Sequence, residues 1–112
     1  MTRERRGFKL AMRIQSILGM TLLRLSDPRF YLVTITGVIL SKDLRHAKVY
    51  WVVTGGLSRK SEVEASFVRS RMHLRSSIAS ELEMRSVPEL HFFYDDTLEV
   101  QAEVGELMKR LT

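Results

Sequence analysis

The chain contains no cysteine, only two prolines and a single tryptophan. Without cysteine it has neither disulfides nor thiolate metal sites, which fits a reducing compartment and an expected cytoplasmic location. No run approaches the roughly 20 apolar residues of a membrane helix. Lys9 and Arg13 interrupt the segment where a signal peptide needs an unbroken apolar stretch, so neither secretion nor a membrane is expected. The arginine-rich residues 3–25 would also pass as an organellar transit peptide, the lesser reading. Acidic residues are scarce in the first half: residues 1–60 carry 12 Lys/Arg against 3 Asp/Glu, and residues 61–112 carry 6 against 10. The halves are therefore +9 and −4, within a total of +5. A field so one-sided reaches about 8–10 Å at physiological salt and attracts polyanions, nucleic acid before membrane.

At 112 residues the chain is expected to be a single domain, 1–112, around one core. Leu10, Ile14, Ile17, Leu18, Leu22 and Leu25 recur at steps of three and four, the stripe of an amphipathic helix. Asp27-Pro28-Arg29 closes it, because proline cannot continue a helix and biases the residue before it. Gly19 inside that helix is expected to mark a close contact. Residues 33–40 and 46–53 alternate β-branched and apolar residues across a polar turn, the period-two pattern of a hairpin.

Gly55-Gly56 ends the second strand, and Ser61 with Glu64 is expected to form a capping box for the next helix. A phosphate loop in residues 55–61 fails because no glycine directly precedes Lys60-Ser61. Val63, Phe67, Leu74, Ile78 and Leu82 form the next stripe, but a straight helix sets Arg71 on it. Either the Arg71 stem lies along the core edge, or the helix breaks near residues 70–72; the break is preferred, because one helix from 62 to 85 is long for a small domain. Val87-Pro88-Glu89-Leu90 restarts the chain as a last strand. Asp96 with Glu99 is expected to cap a short final helix, carrying Val104, Leu107, Met108 and Leu111, that covers the sheet or its edge.

This order, α-β-β-α-α-β, predicts an α+β fold of the type II KH-like class: a three-stranded sheet covered by helices on one face, plus a short C-terminal helix. KH domains clamp single-stranded nucleic acid at a glycine-rich turn between two helices. None of the six glycines lies at the equivalent position near residues 70–72.

Asp27-Pro28-Arg29, Ser41-Lys42-Asp43-Leu44, Ala47-Lys48-Val49-Tyr50, and Val87-Pro88-Glu89-Leu90 followed by Phe92-Phe93-Tyr94-Asp95 together resemble the ribosome-binding factor A family. The resemblance spans nearly the whole chain. It places Ser70-Arg71-Met72 on the family's Ala-x-Gly bend, with neither the alanine nor the glycine kept. It implies a non-enzymatic factor in ribosome biogenesis that binds the free 30S small subunit, promotes late maturation of 16S rRNA including processing of its ends, and then leaves. Cold adaptation belongs to the same implication. The implied partners are the small subunit and its 16S rRNA, with a maturation GTPase as a further candidate and the protein itself a monomer.

The implied RNA-binding residues are Arg5, Arg6, Lys9 and Arg13 on the first helix, Lys42, Arg45 and Lys48 on the hairpin, and Arg69, Arg71, Arg75 and Arg85 on the helix pair. Arginines grip phosphates bidentately and lysines as point charges, so the set fixes register more than it reads sequence. About half of such a list is expected to be ordinary solvated cations. The lack of acidic residues between Glu4 and Asp27 favours the first helix as a polyanion face.

No catalytic residue, cofactor or metal site is expected. His46, His73 and His91 are scattered, with no two at ligand spacing. Asp95-Asp96 reads as a turn and helix cap before it reads as a magnesium site. Trp51, Tyr50, Phe92, Phe93 and Tyr94 read as partly core, not as a base-stacking platform. Two other classes stay open: a general KH-like module for single-stranded nucleic acid, and a protein–protein adaptor using the acidic second half.

Overall fold

Helix α1 (Arg3–Arg24) forms along the stripe that the sequence marks, with Ile14, Leu18 and Leu22 buried and Leu10, Ile17 and Leu25 packed at the core edge. The computed structural model describes residues 3–111. After α1 the Asp27 carboxylate accepts from the Arg29 N–H at 2.9 Å, and Pro28 opens a single 3-10 turn, Pro28–Phe30. That turn drops Phe30 into the core.

Strands β1 (Val33–Leu40) and β2 (His46–Val53) pair antiparallel, as the alternation predicts. A bulge between Ile35 and Gly37 lets Ile35 and Val38 both face inward although they are three residues apart. Helix α2 (Lys60–Leu82) then crosses over, and β3 (Glu89–Tyr94) returns parallel to β2, giving the order β1-β2-β3. Ala47, Val49, Trp51 and Val53 of β2 and Leu90 of β3 point under α1 and α2, while His46, Lys48, Tyr50, His91 and Phe93 point away from them.

The core centres on rings. Phe67 of α2 stacks on Phe92 at 4.5 Å between centroids and meets Phe30 at 5.0 Å and Trp51 at 5.4 Å. Phe67 and Trp51, both fully buried, each contribute about 1.5–3 kcal/mol by leaving water. Trp51, Phe92 and Tyr94 are thus on the core side, and Tyr50 and Phe93 pair on the open face at 5.8 Å.

Five expectations are corrected. Helix α2 is continuous from Lys60 to Leu82, with no break at residues 70–72. Ser70, Arg71 and Met72 all sustain the helical hydrogen-bond ladder, and Arg71 is accommodated half-buried with its stem along the core edge. Ser61 is not a cap. The helix starts one residue before it, behind Arg59, with no side-chain cap bond.

At helix α3 (Thr97–Leu111) it is Asp95, not Asp96, whose carboxylate takes the Thr97 N–H, while Glu99 receives the Tyr94 hydroxyl. Helix α3 also buries no residue, and Val104, Leu107, Met108 and Leu111 are all more than half exposed, so it does not cover the sheet. Finally, a Cβ on Gly19 would meet nothing within 4 Å, so that glycine marks no close contact.

Candidate nucleic-acid interface

The hairpin turn is held rigidly enough to present its cations. The Asp43 carboxylate accepts the Ser41 hydroxyl at 2.7 Å and the Arg45 N–H at 3.1 Å, and these bonds hold its pKa below the ordinary carboxylate value. Ser41 Oγ in turn accepts the His46 N–H at 3.0 Å, and Leu44 sits at φ 61, the left-handed geometry that lets the turn close. Lys42 and Arg45 are therefore displayed on a fixed loop, both exposed.

This loop lies against the start of α1. Gly7, Phe8 and Ala11 face Val38, Leu40, Lys42 and Leu44 across an open groove of about 570 Å³. Arg6, Lys9 and Arg13 are exposed on the helix at steps of three and four, so they share one face. Arg5 is also exposed. Lys42 lines this groove, whereas Arg6, Lys9 and Arg13 do not: at 3.6 residues per turn they lie on the side of α1 turned away from Gly7, Phe8 and Ala11.

The remaining predicted residues divide. Lys48 projects from the open face of the sheet, on the side away from the helices. Arg69, Arg71 and Arg75 lie on α2 and Arg85 on the loop beyond it. Arg69 reaches Ser66 Oγ at 3.4 Å. Arg75 is half-buried and donates from Nη2 to the Val87 carbonyl at 2.9 Å, so it also has a structural task.

Among the described residues the ion pairs within 4.0 Å use Arg29, His46, Arg59 and Lys60. Arg6, Lys9, Arg13, Lys42, Arg45, Lys48, Arg69, Arg71, Arg75 and Arg85 take part in none of them. Cations left without carboxylate partners keep their charge available for phosphates.

Asp95 is saturated by protein donors: the Thr36 hydroxyl at 2.7 Å, the Thr97 N–H at 3.0 Å and the Thr97 hydroxyl. Those bonds depress its pKa and make it a turn and cap residue, as expected. The histidines, in contrast, do not all scatter. His46 and His91 meet at 3.0 Å beside Glu89, while His73 stays apart on α2. The sequence signal for this was faint: His46, Glu89 and His91 sit in the outward phase of their strands, but the β2/β3 register that aligns them cannot be read from spacing.

An α-β-β-α-β core with three strands and two packed helices defines a small KH-like α+β domain. At residues 70–72, where a KH domain has its glycine-rich clamp, α2 runs on as helix with Met72 exposed. The family described as ribosome-binding factor A matches residues 6–108. Ribosome-binding factor A of Thioalkalivibrio sulfidiphilus is 35% identical over 96% of this chain and 81% of its own. That of Geobacter metallireducens is 35% identical over 96% of this chain and 92% of its own.

Among solved structures, that of a Thermotoga maritima protein described as a putative ribosome binding factor A superposes with a TM-score of 0.72 at 34% identity, covering 79% of this chain and 85% of the other. A homology model of Thermus thermophilus ribosome binding factor A, fitted into the cryo-EM map of a 30S–RbfA complex, gives a TM-score of 0.64 at 26% identity, over 76% of this chain and 90% of the other. The chain belongs to the ribosome-binding factor A family.

Proposed function

We propose that the chain is a non-enzymatic assembly factor that binds the free 30S subunit in the cytoplasm, as a monomer, during late maturation of 16S rRNA and its ends. The observation that carries this is that Arg6, Lys9 and Arg13 share one exposed face of α1 and Lys42 is exposed on the hairpin turn, none of them in an ion pair among the described residues. The family relative fitted into a 30S complex supports the same partner. Phosphate contacts of this kind set orientation on rRNA, and the shape of an unfinished subunit supplies the selectivity. The uninterrupted α2 argues against a general KH module, because a backbone clamp needs a bend that Met72 does not give. A maturation GTPase as the releasing partner belongs to this reading.

The test is co-sedimentation of the purified chain with free small subunits on sucrose gradients. The triple charge reversal Arg6→Glu, Lys9→Glu, Arg13→Glu is expected to abolish co-sedimentation, whereas Glu103→Lys on α3 leaves it unchanged. Retention by the triple variant refutes the interface. Equal competition by unrelated single-stranded oligonucleotides refutes subunit specificity.

A further inference from the structure

The parallel register that puts His46 opposite Glu89 and Lys48 opposite His91 gathers three ligand-type side chains on the open face of the sheet, away from the helices. His46 Nδ1 lies 3.0 Å from His91 Nε2 and 3.7 Å from Glu89 Oε2, and the three candidate donor atoms fall within 4.8 Å of one another. Tetrahedral zinc, with bonds of about 2.0–2.1 Å, separates its ligand atoms by about 3.3 Å. The observed edges straddle that value, so small rotations of exposed side chains reach it. The backbone beneath is fixed: the Glu89 N–H donates to the Arg45 carbonyl at 2.8 Å, and the His46 N–H is held by Ser41.

We propose that His46, Glu89 and His91 form a site for one divalent transition-metal ion of the zinc class. Two imidazoles and one carboxylate are the donor set that suits zinc and its neighbours, whereas magnesium and calcium favour all-oxygen sets. The side chains of His46 and Glu89 are 52% and 57% exposed, so a fourth position stays open to water. In the absence of metal the two rings share a hydrogen bond. On binding, the donor ring changes tautomer, its proton passing through solvent to its other nitrogen, and both freed nitrogens donate to the ion. Lys48, the next outward residue on β2, is exposed and its flexible stem lets the ammonium stay clear. The bound ion ties β2 to β3 from outside the core, independently of any rRNA contact.

Titration of the untagged full chain with zinc chloride, followed by calorimetry, is expected to give one ion per chain with a Kd of about 10 µM or tighter. At a hundredfold excess over Kd the melting temperature should rise by about 10 °C. Cobalt should give the strong visible bands of a four-coordinate site. The double variant His46→Gln, His91→Gln should bind at least about 100-fold more weakly, and His73→Gln as the unaltered chain does. If circular dichroism shows the double variant unfolded, Glu89→Gln takes its place, with an expected loss of about tenfold. No saturable binding, a different stoichiometry, or zinc affinity that survives these changes overturns the site.

Discussion

Arg75 and Val87 are joined across the end of the helical layer: the guanidinium Nη2 on α2 donates to the Val87 carbonyl at 2.9 Å, just before the fully buried Pro88. The bond fixes where the chain turns from the loop into β3. A charge-assisted bond to a half-buried carbonyl is worth about 1.5–3 kcal/mol. Arg75→Ala should therefore lower stability by about 2 kcal/mol, whereas Arg85→Ala, on an exposed loop position, should change it by less than about 0.5 kcal/mol. Urea unfolding followed by fluorescence of the single, fully buried Trp51 gives both values. It also means that loss of subunit binding in an Arg75 variant must be judged against a stability measurement.

Met72 stands on α2 where the sequence pattern suggested a bend. It is 70% exposed at the middle of the helix, so replacing it tests backbone propensity with little change in packing. Met72→Gly should destabilise the domain by about 1 kcal/mol through helix propensity alone. Faster amide exchange confined to residues around 70–76 would report a hinge created where the native chain has none.

Arg59 ends a second 3-10 turn, Gly56–Arg59, and ties it to the one at Pro28–Phe30. Its Nη1 donates to the Tyr31 carbonyl at 2.8 Å, Nη2 to the Arg29 carbonyl at 3.2 Å, and Nε to Glu62 Oε1 at 2.9 Å. Arg59→Ala strands these carbonyls and should cost about 2–3 kcal/mol in a denaturant titration. Arg59→Lys, which cannot span three acceptors, should recover less than half of that. Gly55 stands beneath the same side chain at φ 100, and a Cβ there would lie 3.1 Å from Arg59 Cδ. Gly55→Ala should cost about 1 kcal/mol or more.

Protonation should destabilise the fold at the acid end. The Thr97 and Thr36 hydroxyls and the Thr97 N–H hold the Asp95 pKa below its ordinary 3.8, and the Arg29 side chain and N–H do the same for Asp27. A group whose folded pKa is depressed contributes stability above its unfolded value and loses it as pH falls through the folded one. Melting temperature should thus be level above about pH 5 and fall below the ordinary carboxylate range, less steeply in Asp95→Asn.

At the alkaline end the sign reverses. The bond to Glu99, then desolvation, pushes the Tyr94 phenol up to about 12 from 10.0. Its contribution is complete below the unfolded value and is lost as pH rises through the folded one. A spectrophotometric tyrosine titration should show Tyr94 ionising late, and earlier in Glu99→Gln.

Much of this fold was legible because local periodicity and core packing agree. The bounds of β1 and β2 follow from alternation, and the α1 stripe is the buried face. The break expected in α2 misjudged Arg71: a cation on an apolar stripe looks like a conflict only until its stem is allowed to lie along the core edge. The α3 cap was misplaced by one residue because Asp95 and Asp96 are equivalent in sequence, and only the donors that meet Asp95 in the fold, the Thr36 hydroxyl and the Thr97 N–H and hydroxyl, distinguish them. On the candidate interface, the charge of α1 and the turn was readable from composition, but where the turn lies against α1 depends on how the hairpin leans on Gly7 and Phe8. The His46–His91 pair depends wholly on strand register, which no local pattern encodes.

The parallel pairing of β3 with β2 also has a temporal side. As the polypeptide is made, α1 and the hairpin are complete while one edge of β2 still has no neighbour, and that vacancy lasts through the whole of α2. Trp51 and Val49 sit on this waiting strand. The last few residues to join the sheet therefore close the domain as a zip closes a bag, and a chain stopped short of Glu89 would carry a sticky, unfinished border.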